Sequence, residues 1–165
     1  MKIIECDEQK FRNDFMSEII DSWCGDKFMP ENKQHVEWLD KKIHASFVDF
    51  GIAICVYSDD DEPIGYLWYK HDTGMDGVSF SGKDAHILQF GLFEQFQNQG
   101  IGTKLLDDVC RRIKEAGGEC LYTDTYAYNV DAMIFYVKRK FIPVTYHMGE
   151  NGVNDLGQVY FYRVL

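Results

Sequence analysis

Apolar residues recur along the chain with two periods, and the switches between them outline the secondary structure. Between Glu8 and about Trp23, residues Phe11, Phe15, Ile19 and Trp23 stand every four positions with Ile20 beside them. That stripe predicts an amphipathic helix, closed by Cys24-Gly25-Asp26. Pro30-Glu31 opens a second helix in which Val36, Leu39 and Ile43 face one way. The strongest helical pattern lies at 100–116, where Ile101, Leu105, Leu106, Val109, Cys110 and Ile113 share a face and Gly117-Gly118 supplies a C-cap. Val130–Lys138 predicts a shorter helix. Runs rich in β-branched and aromatic residues predict strands at Met1–Cys6, Ile52–Tyr57, Ile64–Tyr69, Ile87–Phe93, Cys120–Thr125, Ile142–His147 and Gln158–Val164. The acidic turn Ser58–Pro63 makes 52–69 an antiparallel hairpin, and 72–84, with Gly74, Gly77 and Gly82, is expected to be a loop. The order β-α-α-β-β-β-α-β-α-β-β predicts a mixed α/β (α+β) single domain over 1–165, built on one central sheet.

Composition narrows the class. With 165 residues, 45% hydrophobic and 15% aromatic, the chain holds one well-cored domain and is not intrinsically disordered. No run approaches the ~18 apolar residues of a membrane span, and the first residues lack a signal-peptide pattern, so a cytoplasmic location is expected. The five cysteines form no C-x-x-C pair and read as reduced, mostly buried thiols. The histidines are scattered, so no metal site is expected, and His86 and His147 read as strand-end residues. Charge is unevenly placed: residues 1–94 carry 19 acidic and 9 basic side chains, whereas 95–165 carry 8 of each. The whole net charge of −10 therefore lies in the first part, which repels a nucleic-acid backbone and favours a cationic partner.

The stretch most suggestive of chemistry joins strand 87–93 to helix 100–116. Gly100 and Gly102 sit at the helix start, where backbone N–H groups lack intrahelical partners and the helix dipole favours an anion. The letters do not match a Walker A loop, and position 105 is Leu where a dinucleotide fingerprint needs its third glycine. Gln97-Asn98-Gln99-Gly100-Ile101-Gly102 instead resembles the acetyl-CoA motif [QR]-x-x-G-x-[GA] of the GCN5-related N-acetyltransferases. Downstream, Asn129-x-x-Ala132-x-x-Phe135-Tyr136-x-Lys138-x-x-Phe141 is similar to that family's second motif. The two motifs with their strands span about 86–146, the expected cofactor-binding core.

The resemblance implies a mostly antiparallel, twisted sheet of about six or seven strands flanked by about four helices, and an acetyl-CoA-dependent N-acetyltransferase that needs no metal. It implies that backbone groups of Gly91, Leu92 and Phe93 pair with the pantetheine arm and polarise the thioester. Pyrophosphate is expected on the segment from Gln99 to Lys104 (Gly100, Ile101, Gly102 and Thr103 between them), with Gln97 completing the motif. Asn129 is expected to contact the cofactor arm, and Tyr136 to protonate the leaving thiolate. An alkylamine with a pKa near ~10.4 is under about 0.1% neutral at pH 7, so a proton acceptor is also required. Asp124 and Glu94 are the two candidates. The pattern has two departures. Lys140 replaces a glycine after the helix Val130–Lys138, and no proline follows the cofactor strand, which continues Phe93-Glu94-Gln95-Phe96. The expected acceptor is the primary amine of a cationic small molecule. Alternatives are a lysine side chain or N-terminus of a protein, and a non-catalytic acyl-CoA sensor. Pairing as a homodimer through the C-terminal strands is also expected from the resemblance.

Overall fold

The computed structural model describes residues 1–24, 33–48, 51–71, 74–75, 78–79, 84–148 and 157–165. In chain order the elements are β1 (Lys2–Cys6), α1 (Glu8–Cys24), α2 (Lys33–Val48), β2 (Gly51–Tyr57), β3 (Pro63–His71), β4 (Gly74–Met75) and β5 (Val78–Ser79). They continue with β6 (Ala85–Leu92), a 3₁₀ turn (Glu94–Phe96), α3 (Ile101–Glu115), β7 (Cys120–Tyr126), α4 (Val130–Lys138), β8 (Ile142–His147) and β9 (Gln158–Val164). Seven strands form one sheet in the order β1-β2-β3-β6-β7-β9-β8. The β6–β7 pair is parallel, whereas β1–β2, β2–β3, β7–β9 and β8–β9 are antiparallel. One expectation is corrected: the stretch read as a loop holds the short antiparallel pair β4–β5, Gly74 opposite Ser79 and Met75 opposite Val78. Two-residue strands are too short to show a period. The expected start of the second helix at Pro30-Glu31, and the side chains of Trp23, Val36 and Leu39, lie outside the described residues.

Two compact units divide the chain: Met1–Lys70 with Gln89–Arg111, and His71–Leu88 with Arg112–Leu165. In the first unit, Asp7 caps α1 by accepting the Lys10 N–H at 2.8 Å. The helix then buries Phe11, Phe15 and Ile19 completely. Phe11 meets the edge of Tyr66 with centroids 5.3 Å apart, Phe15 lies 6.0 Å from Phe93, and Phe47 of α2 stacks on Trp68 at 5.4 Å. Arg12 ties the two helices together, donating to Glu8 at 2.8 Å and pairing with Asp40.

Glycines let the end of β6 press against β3. A Cβ on Gly65 would lie 2.2 Å from Leu92 Cδ2 and 2.6 Å from the Gly91 oxygen, and one on Gly91 would lie 2.9 Å from the Tyr66 hydroxyl. Neither position has room for a side chain. Cys6, Cys55, Cys110 and Cys120 are buried, and none of the four is in a disulfide.

In the second unit, seven consecutive pairs join β7 to β9, from Cys120 opposite Val164 to Tyr126 opposite Gln158. The buried Asp84 carboxylate accepts the N–H groups of Glu119 and Cys120, each at 2.9 Å, and so fixes the entry into β7. The ends of α3 and α4 share one hydrogen-bond pattern. After α3, Gly118 N–H reaches the Ile113 carbonyl and Gly117 N–H the Lys114 carbonyl, with Gly117 at φ +85°. After α4, Phe141 N–H reaches the Tyr136 carbonyl at 3.1 Å and Lys140 N–H the Val137 carbonyl at 3.0 Å. Both are Schellman caps. In the second one Lys140 occupies the left-handed position itself, at φ +66°. The missing glycine has therefore not changed the shape of the turn.

Candidate active site

In the first unit, the segment after β6 is folded by its own polar side chains. Phe93 leaves the strand at φ −55°, ψ 141°, a backbone that proline would also adopt, and the 3₁₀ turn follows at once. Gln97 Nε2 donates to the Leu92 carbonyl at 3.0 Å, and Gln99 Nε2 to the Gln95 carbonyl at 2.9 Å. The two glutamines thus brace the loop. Asn98 and Gly100 both take positive φ, +59° and +78°, and turn the chain into α3. The first intrahelical bond runs from Lys104 N–H to the Gly100 carbonyl at 3.2 Å. The N–H groups of Ile101 and Gly102 precede it and have no carbonyl of the helix to meet. A Cβ on Gly100 would touch nothing within 4 Å, so the space in front of this turn is open. Lys104 is exposed one turn along, while Ile101 and Gly102 are buried and Thr103 is half-buried.

The three backbone positions expected along the cofactor strand are not equivalent. Phe93 N–H is donated to the Ile64 carbonyl at 3.0 Å, and the Phe93 carbonyl accepts from Phe96 N–H at 2.9 Å. Successive N–H groups of a strand point to opposite edges, so Leu92 N–H is directed away from β3. Glu94 is exposed in the 3₁₀ turn, where its carbonyl accepts from Gln97 N–H.

The second unit holds the other expected residues. Asn129 caps α4: its side-chain oxygen accepts the Ala132 N–H at 3.1 Å. Tyr136 is buried among Phe135, Phe141 and Phe161, with ring centroids 5.6, 5.3 and 5.7 Å away. Its hydroxyl accepts a 3.4 Å hydrogen bond from Thr123 Oγ1 of β7. Burial pushes this phenol up to about 12, against the lowering effect of the Thr123 contact. Asp124 follows Thr123 and so projects from the opposite face of β7. There Asp124 Oδ1 lies 3.1 Å from His86 Nε2, and the His86 ring stacks on Tyr122 with centroids 4.5 Å apart. Sequence reasoning assigned no role to His86 or Thr123; their only signal was a position within a strand. Among the described residues no group of three His, Cys, Asp or Glu side chains is arranged to hold a metal ion. No described helix is long and apolar enough to cross a membrane.

Residues 14–141 match the model of a family described as the acetyltransferase (GNAT) family. The uncharacterized N-acetyltransferase YdgE of Bacillus subtilis (strain 168) is 31% identical over 83 residues, 50% of this chain and 50% of that protein. The match thus spans about half the length of this curated relative. Among solved structures, an aminoglycoside 6'-N-acetyltransferase complexed with coenzyme A has a TM-score of 0.73 at 16% identity, covering 99% of this chain and 97% of that one. A ribosomal-protein-alanine N-acetyltransferase from Brucella melitensis has a TM-score of 0.73 at 13% identity over the whole of both chains. At such identities the structural likeness speaks for the fold alone.

Proposed function

Because the chain belongs to the acetyltransferase (GNAT) family, we propose that it transfers an acetyl group from acetyl-CoA to a primary amine by direct attack on the thioester. The observation that carries this reading is the turn at Asn98–Gly102. It is held by two glutamine braces, is open in front of Gly100, and leads into a helix start that can receive pyrophosphate. Lys104 adds an exposed cation to the same turn. Leu92 N–H suits the arm of the cofactor and the developing oxyanion, since Phe93 N–H already serves the sheet. With its oxygen committed to the helix cap, Asn129 offers the cofactor its Nδ2. Tyr136 donates its proton or a hydrogen bond to the departing thiolate, and a phenol raised to about 12 stays protonated at neutral pH.

The acceptor in this reading is a cationic small molecule, supported by the net −10 carried by residues 1–94. The buried ring of Tyr136 also suits a second reading, a silent acyl-CoA sensor in which this tyrosine only fills the core. Calorimetric titration with acetyl-CoA, CoA and ATP tests the first step. Micromolar binding of the CoA species without binding of ATP, followed by thiol release with a member of an amine panel, is the expected outcome. Failure to bind either CoA species would refute the proposal.

A further inference from the structure

We propose that the Tyr66 hydroxyl receives the amino group of the acceptor and that Glu18 supplies its counter-charge, an inference that rests on the acetyl-transfer reading above. Both residues belong to the first compact unit, together with Gly91, Leu92 and Phe93. Gly65 and Leu92 share one face of the sheet, since a Cβ on Gly65 would strike Leu92 Cδ2. Tyr66 and Gly91, each one residue away, share the other face. There the Tyr66 hydroxyl lies over Gly91, 2.9 Å from where a Cβ would stand. Phe11 and Phe15 of α1 hold the Tyr66 ring, with centroids 5.3 and 5.2 Å away. Adding one ~1.5 Å bond puts the hydroxyl within about 4.5 Å of Gly91 Cα, and the Leu92 nitrogen is two bonds further on. The hydroxyl and Leu92 N–H are thus close enough for one amine nitrogen, ~2.9 Å from the hydroxyl and ~3.3 Å from the thioester carbon, to lie between them.

The hydroxyl is uncommitted within the fold. Tyr66 is only 3% exposed, yet its oxygen makes no hydrogen bond to a described residue. The only side-chain polar atom among the described residues that is both sealed from solvent and without a partner is Trp68 Nε1. The small exposed part of Tyr66 therefore includes its oxygen. A phenol oxygen left without a partner in so apolar a wall forfeits a hydrogen bond that a ligand N–H can restore. Glu18 is half-buried on α1, one turn beyond Phe15. Burial first, and the Glu18 charge after it, push the Tyr66 phenol up, so it keeps its proton at neutral pH and offers lone pairs to a donor. An ammonium supplies what both groups lack, one N–H for the Tyr66 oxygen and a positive charge for the Glu18 carboxylate. As acetyl transfer proceeds, the C–N bond forms, the C–S bond breaks, the sulfur leaves as a thiol, and one proton in total passes to water. Tyr66 holds the nitrogen throughout and ends in the state in which it began.

The test uses the whole protein, acetyl-CoA and a primary amine that the wild type acetylates. Tyr66→Phe keeps the ring and removes an oxygen that no described residue engages, so the melting temperature should not fall. KM for the amine should rise about tenfold or more while acetyl-CoA affinity, read by calorimetry, stays unchanged. A tyrosine that only fills the core would move the melting temperature and leave this KM alone. Glu18→Gln should also raise the amine KM, by about threefold or more, and should weaken its dependence on salt. An amine KM within about threefold of wild type in Tyr66→Phe overturns the inference and leaves acetyl transfer standing. A loss confined to acetyl-CoA affinity overturns it equally, because the hydroxyl would then serve the cofactor. An unaffected Glu18→Gln removes the counter-charge from the assignment. A wild type that binds acetyl-CoA but acetylates no amine sinks the functional reading, and this inference with it.

Discussion

Replacing Lys140 by glycine isolates one backbone term. Lys140 holds φ +66° at the position where the equivalent cap of α3 has Gly117 at φ +85°. An L-residue in that region costs about 1–2 kcal/mol, which glycine removes. Against that, glycine loses more freedom on folding, about 0.5–1 kcal/mol. The substitution also deletes an exposed cation near the end of α4, worth roughly 0.3–1 kcal/mol. Lys140→Ala supplies the control, because it loses the same charge and keeps the strain. Lys140→Gly should therefore be more stable than Lys140→Ala by about 0.5–1 kcal/mol. At ~2–4 °C per kcal/mol, the melting temperatures should differ by about 1–4 °C. Paired urea titrations followed by circular dichroism, with thermal melts alongside, resolve that difference. Equal stabilities, or a less stable glycine variant, would show that the cap imposes no strain on Lys140. The result also bears on the role proposed for Tyr136, which supplies the carbonyl that closes this cap and packs its ring 5.3 Å from Phe141.

Gly100→Ala should cost about 1–2 kcal/mol from its φ of +78° and nothing from collision, as no atom lies within 4 Å of the new Cβ. Its larger effect should be at least about a tenfold loss of acetyl-CoA affinity in calorimetry, and an unchanged affinity would remove this turn from the cofactor site. Tyr136→Phe should lower turnover by about tenfold or more with acetyl-CoA binding intact; unchanged turnover would exclude the phenol from the mechanism. The same variant should alter alkaline stability. Burial raises the folded phenol from 10.0 to about 12, so its contribution is complete below pH 10 and is lost as pH rises through about 12. Unfolding free energy should fall above pH 10, less steeply in Tyr136→Phe. Tyr162, also raised to about 12, keeps part of the slope in both proteins.

Long periodic elements were legible in the sequence because burial sets their pattern. All six residues assigned to the inner face of α3 are buried, as are Phe11, Phe15 and Ile19 of α1. The glycine-rich turn was legible for a local reason: Gln97, Asn98, Gln99 and Gly100 make their shape from neighbours at most five residues away. What escaped depended on distant pairing or on competing local terms. His86 and Asp124 are 38 residues apart and meet only through the parallel register of β6 with β7. Which of Gly91, Leu92 and Phe93 presents its N–H depends on the bond from Phe93 to Ile64, and no local pattern encodes that bond. The α4 cap keeps its shape without glycine because two hydrogen bonds and the Phe141–Tyr136 contact outweigh the strain on Lys140.

The adjacency of Thr123 and Asp124 restricts how this gene can change. In a pleated strand, deleting or inserting a single codon before Thr123 would exchange the faces of every following residue in β7. The side chain meeting Tyr136 and the side chain meeting His86 would trade faces, and the four pairs with β9 from Thr123 to Tyr126 would have to be remade. Point substitutions can be absorbed one at a time, whereas a frame-preserving length change within 120–126 would need a compensating bulge, like the register shifts at Val56/Tyr57 and Pro143/Thr145. Among natural variants of this chain, insertions and deletions should fall in the connections and leave the length of β7 constant.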